Sequence, residues 1–164
     1  MRILVMSDSH SAMRYMRLAV DTVKPDAVIH LGDHYDDAQS LAEEYRHIRF
    51  HILPGNCDFC RCPPDTPQVL CYSVGGVRFF MTHGHNHGVK SGTHRLVAAA
   101  REQNARAALY GHTHAADRRR EDGLLILNPG ACNCAEGSVA VIETENNEIA
   151  SCEILRIQDL EEVK

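Results

Sequence analysis

The stretch Asp26–Asp37, DAVIHLGDHYDD, joins an apolar run to a cluster of side chains able to ligate a metal or move a proton. A short aliphatic run bounded by glycine has the length of a buried strand, so DAVIHLGD predicts a strand that stops at Gly32. A helical pattern follows over roughly 36–46. The same junction occurs on either side. Residues 2–6, with Ile3, Leu4 and Val5, read as a first strand ending at Ser7. Residues 12–23 read as a helix, with Met13, Met16, Val20 and Val23 at three- and four-residue spacing on one face. Pro25 ends it, and HIRFHILPGN (47–56) supplies a third strand that stops at Pro54-Gly55. Strand–helix–strand–helix–strand alternation predicts a parallel sheet with crossover helices.

The second half changes character. QVLCYSVGGVRFFMTHGH (68–85) predicts two strands joined at Gly75-Gly76, a hairpin signal. An alanine-rich helix is expected over 93–105, then a strand in ARAALYGHTH (105–114). Two further hairpins are expected, turning at Asp122-Gly123 and at Asn146-Asn147. The fold class is therefore α/β: a two-sheet β-sandwich of mixed strands flanked by helices, with 1–164 as a single domain. A chain of 164 residues can bury roughly two thirds of its unfolded surface.

Composition narrows the function classes. Hydrophobic residues make up 44% and charged residues 24%, ordinary values for a globular protein. No apolar stretch is long enough to span a bilayer, and MRILVMSDSH lacks the features of a signal peptide, so a cytoplasmic location without membrane attachment is expected. A net charge of −5 argues against strong nucleic-acid binding, and the basic run at Asp117–Asp122, DRRRED, is compensated at both ends. Self-association into a homo-oligomer is compatible with the sequence. Five of the seven cysteines fall in two clusters, Cys57, Cys60, Cys62 and Cys132, Cys134. Without a paired C-x-x-C they read as small loop residues, a cysteine-based metal or redox sensor being the alternative.

Five predicted strands end in metal-capable groups: Asp8-x-His10, Asp33, Asn56-x-Asp58, His83-x-His85-x-His87 and His112-x-His114. Loops after the carboxyl ends of strands in an open α/β sheet meet in one crevice. Residues two apart in extended chain point to one side, so each pair can face a common cavity. Glycines at 32, 55, 84 and 111 stand beside these donors, where the backbone must turn or approach closely. A mixed carboxylate, imidazole and amide set suits manganese, iron, nickel or zinc better than magnesium or calcium. His30, His47, His51 and His94 lack this context and read as packing or surface residues.

In the order DSH, GDHYDD, GNCD, THGH and GHTH, these motifs make the chain resemble the calcineurin-like metallophosphoesterase superfamily, from Met1 to about Ala135. Within it, the short length, GNCD, THGH and NPG are similar to the small bacterial and archaeal phosphodiesterase branch, itself similar to the retromer subunit of the same fold. The resemblance implies two divalent metal ions, manganese foremost. Asp8, His10 and His114 would hold the first, Asp33 would bridge, and Asn56, His83 and His112 would complete the second. His85, Asp58 and the backbone around Gly84 would lie near the substrate phosphate as catalytic groups; His87 has no clear counterpart. Many relatives carry histidine after the Gly-Asn, where this chain has Cys57, and many carry serine where it has Ala131.

The expected activity is phosphodiester hydrolysis. Water between the ions would be acidified to a pKa of ~7 and attack phosphorus as a bridging hydroxide. The partner would be a small phosphodiester or nucleotide-like substrate. Phosphomonoester hydrolysis is the near alternative; a catalytically idle scaffold for a partner protein is the distant one. Asp37 is a candidate for orienting a ligand histidine.

Overall fold

A computed structural model describes residues 1–162. Its first sheet has the order β10-β9-β1-β2-β3, built from β1 (Arg2–Met6), β2 (Ala27–His30), β3 (Arg49–Ile52), β9 (Ser138–Glu145) and β10 (Glu148–Arg156). Strands β1, β2 and β3 run parallel, while β9 and β10 add antiparallel pairs. The second sheet has the order β4-β5-β6-β8-β7, from β4 (Val69–Val74), β5 (Val77–Thr82), β6 (Ala107–Leu109), β7 (Asp117–Glu121) and β8 (Leu124–Asn128). Here β5, β6 and β8 are parallel, with β4 and β7 antiparallel at the edges.

Alternation along the strands explains the layering. Ile3 and Val5 point between the sheets, where they join Ile29, Phe79, Met81, Leu109 and Leu127. Leu4 and Met6 point outward, against α1 (Met13–Val23) and α2 (Tyr35–Glu44), through Met16, Val20 and Leu41. The outer face of the second sheet packs Phe80, Ala108 and Ile126 against Leu96, Val97 and Ala100 of α3 (His94–Glu102). Strands covered on both faces read as unbroken apolar runs, which is why β1 and β2 were legible. Strand β7 carries Arg118, Arg119 and Arg120 at a sheet edge, where charge discourages further strand pairing.

Helices α1, α2 and α3 fall within one to three residues of their expected bounds. The sequence reading lacked α4 (Ile157–Glu161), which buries Ile157 and Leu160, and the two 3-10 turns at His85–His87 and Val89–Ser91. Among the described residues, no helix is long and apolar enough to cross a membrane.

Candidate metal centre

The carboxyl ends of the parallel strands of both sheets bring their loops together. Asp8 N–H donates to the Gly32 carbonyl at 2.9 Å, and Gly111 N–H to the His83 carbonyl at 3.0 Å. Bonds that tie one sheet's loops to the other's include His112 N–H to Asp8 Oδ2 at 3.1 Å, His83 Nδ1 with the Leu31 carbonyl at 2.9 Å, and Cys132 N–H to the Ser7 carbonyl at 3.0 Å. Close approach needs glycine. A Cβ on Gly32, where φ is +104°, would lie 2.6 Å from Gly55 N, and one on Gly111 would strike the Ser7 hydroxyl. Asp8, His10, Asp33, His112 and His114 themselves have φ between +45° and +67°. Such a conformation is uncommon outside glycine, and its concentration in five neighbouring polar residues marks a site whose shape the surroundings impose.

Two groupings emerge. In the first, ligand atoms of Asp8, His10, Asp33 and His114 all lie within 4.8 Å of one another. His10 Nε2 is 3.3 Å from His114 Nε2, which is 3.2 Å from Asp8 Oδ1. In the second, His83 Nε2 lies 3.1 Å from Asn56 Oδ1 and 3.6 Å from Asp33 Oδ1, and the His112 ring centroid is 5.0 Å from that of His83. Asp33 thus faces both groupings: its Oδ2 is 4.0 Å from His10 Nε2.

The lone pairs test whether cations fit. The Leu31 carbonyl can only accept, so a neutral His83 carries its proton on Nδ1 and turns the Nε2 lone pair to the Asn56 oxygen. Two acceptors then face each other with no proton between them. Asp8 Oδ1 is buried with no hydrogen-bond partner. An ion between such atoms removes both defects, and the donor set fits a divalent transition metal. Burial, then neighbouring His83, lowers the pKa of His112, and the same two causes lower that of His85, keeping both imidazoles neutral. Burial pushes the Asp33 carboxyl up, but the Cys57 N–H at 2.9 Å and the His83 and His10 rings outweigh it, so Asp33 titrates below the usual carboxylate value.

Asp58 shares a cleft with Asn56 and His85, but the main chain holds its carboxylate. Its Oδ1 accepts from the N–H groups of His34 and Tyr35 at 2.8 and 2.9 Å, and its Oδ2 from Gly55 N–H at 2.7 Å. It is wholly buried. Both of its oxygens are taken up by main-chain donors, which corrects its assignment as a catalytic group. It pins the loop after β3 to the start of α2. Asp37 is corrected likewise: it accepts from Ser9 Oγ and Ser11 N–H, both at 2.8 Å, and touches none of the expected ligand side chains. Its nearest imidazole is His34, 3.7 Å away.

His34 escaped the sequence reading although GDHYDD contains it. Its ring centroid is 5.2 Å from that of His10, and its Nδ1 is 3.0 Å from Ser11 Oγ. Asn128 of the NPG segment is buried and donates to the Gly111 carbonyl at 3.0 Å and to Thr113 Oγ1 at 2.9 Å, bracing the His112–His114 loop. His85 lies beside the second grouping, 5.4 Å from His83 by ring centroid, with its Nδ1 buried and unpartnered. His87 packs edge-on against Phe80 instead. His30 is wholly buried, as a packing residue should be, but its electrostatic neighbours are Asp8, Asp58, Asp37 and His83. No potential metal grouping among the described residues includes a cysteine.

Comparison with known proteins agrees with this architecture. The sequence profile of the calcineurin-like phosphoesterase superfamily domain matches residues 1–147. A probable metallophosphoesterase of Bacillus subtilis, YsnB, is 29% identical over 153 residues, covering 90% of this chain and 86% of that protein. Phosphodiesterase MJ0936 of Methanocaldococcus jannaschii is 27% identical over 172 residues, covering 90% and 96%. The crystal structure of a predicted phosphoesterase from Streptococcus pneumoniae superposes with a TM-score of 0.75 at 28% identity, covering 96% of this chain and 90% of that one.

Proposed function

The chain belongs to the calcineurin-like phosphoesterase superfamily, and from that premise we propose that it hydrolyses phosphodiesters at a centre of two divalent ions, manganese foremost. The observation that carries the reading is the convergence of ligand-capable atoms: His83 Nε2 on Asn56 Oδ1, His10 Nε2 on His114 Nε2, and the buried Asp8 Oδ1 3.2 Å from His114 Nε2. Asp8, His10 and His114 would hold one ion, Asn56, His83 and His112 the other, and Asp33 both. Bound ions supply Lewis-acid polarisation of a phosphoryl group and acidification of water.

The chain's own groups set the rest. Asp8 and Asp33 bring two negative charges against four on the ions, so the site attracts an anionic ester although the protein is acidic overall. Leu31 fixes the tautomer of His83. His85, neutral at pH 7, donates a hydrogen bond to a phosphate oxygen but has no spare proton for a leaving group. Burial and Asp33 raise the pKa of the Cys57 thiol, which therefore keeps its proton and is a slow donor. Weak proton donation favours esters whose leaving groups depart without help.

The test is turnover of bis-p-nitrophenyl phosphate and p-nitrophenyl phosphate with manganese. Diester cleavage that disappears on chelation and in Asp33→Asn is the expected result. Faster monoester cleavage would reassign the substrate class, and no cleavage of either above the Asp33→Asn control would favour a scaffold.

A further inference from the structure

A cleft of about 550 Å³ opens beside the candidate centre, a volume typical of small-molecule sites. Asn56 and His85 line it, so it is continuous with the second ligand grouping. Pro63, Pro64 and Phe59 make an apolar wall, and Gln68 adds an amide. Phe59 is 94% exposed; among the described residues the other exposed large hydrophobic is Met1, at 42%. A phenylalanine left in water forgoes the burial that normally places it inside a protein.

The loop that presents this ring is tied down on both sides of it. Asp58, immediately before Phe59, takes three backbone hydrogen bonds, and Arg61 bonds through its N–H to the Asp58 carbonyl and through its guanidinium to Asp36 at 2.7 Å. The backbone therefore holds Phe59 at the rim of the cleft. Its π-face is a stacking surface for another planar ring, the adjoining prolines add apolar contact, and the amides of Gln68 and Asn86 offer donors and acceptors to ring heteroatoms.

We infer that this cleft receives a planar aromatic substituent of the phosphate ester, of the nucleobase kind, with Phe59 as its stacking partner. The inference rests on the phosphoesterase reading for the position of the phosphate; the cleft supplies the identity of the group attached to it.

Because the chain contains no tryptophan, Phe59→Trp creates a single fluorescent reporter at the rim. With manganese present, adenosine 5′-monophosphate should quench its emission at a concentration about fivefold or more below that needed for glycerol 3-phosphate. In parallel, Phe59→Ala should raise KM for bis-p-nitrophenyl phosphate about fivefold, the loss falling on KM rather than kcat. Equal response to the two phosphates, no quenching, or an unchanged KM overturns the inference. Selective quenching without turnover of any ester supports the cleft and sinks the hydrolase reading. Turnover without selectivity does the reverse.

Discussion

Asp33 and Asp58 are both buried carboxylates, 3% and 0% exposed, on loops that follow neighbouring parallel strands. The strand-end cluster around Asp33 directs its polar atoms at one another: Asp33 oxygens face His83 and His10, and a single backbone N–H, from Cys57, bonds to them. The loop around Asp58 directs its polar atoms at the main chain, with three N–H donors on two oxygens. Burial alone therefore says little about a carboxylate. One whose oxygens the backbone satisfies shapes the chain, whereas one whose oxygens face lone pairs needs a cation.

Exchanging each residue for its amide separates the two regions. Asp33→Asn should lower kcat/KM roughly a thousandfold while leaving the thermal midpoint near that of the wild type, because it removes charge from the centre and no structural bond that an amide oxygen cannot replace. Asp58→Asn should cost about 3 kcal/mol in urea unfolding, since an amide nitrogen would be set against a buried N–H. An Asp33→Asn protein that unfolds, or an Asp58→Asn protein of full stability that has lost only turnover, would break the distinction.

The sequence revealed the first region better than the second for a physical reason. Apolar runs stopped by Gly32, Gly55, Gly84 and Gly111 carry their own period, so the positions of Asp8, Asp33, His83 and His112 relative to strand ends follow from local pattern. The bonds of Asp58 to His34 and Tyr35 are tertiary, made 24 and 23 residues away, and no spacing rule encodes them. His34 was overlooked because it occupies the N-cap of α2 with φ of 69°, a turn rather than the strand end itself. Helix α4 was too short, and its apolar positions, Ile157 and Leu160, too few, for periodicity to show.

His30 sharpens the comparison from beneath the centre. Burial, opposed by Asp8 and Asp58, pushes its pKa down to about 4, and its Nε2 has no partner. The unfolded histidine titrates near 6.5, so between about pH 6.5 and 4 the unfolded chain binds more protons and acid favours unfolding. Lowering the pH from 7 to 5 should therefore cost chelator-treated wild type about 2 kcal/mol more than His30→Leu in urea unfolding. Parallel losses in both proteins would mean that His30 is not the buried neutral group this environment implies.

The smallest effect concerns Cys57, where the two regions meet: its N–H bonds Asp33 while its exposed side chain borders the loop that Asp58 holds. Burial first, then Asp33 and Asp58, raises the pKa of its thiol, so the proton is present at neutral pH but given up reluctantly. An imidazole placed beside Asp33 would gain support for its charged form from the same carboxylate, and would donate near its own pKa. Cys57→His should therefore speed cleavage of a glycerophosphodiester, whose alkoxide leaves poorly, roughly tenfold, and leave bis-p-nitrophenyl phosphate, whose phenolate needs no proton, nearly unchanged. Equal gains on both substrates would place the effect in binding rather than proton transfer, and no gain on either would show that the leaving group departs on a side of the centre that Cys57 does not reach.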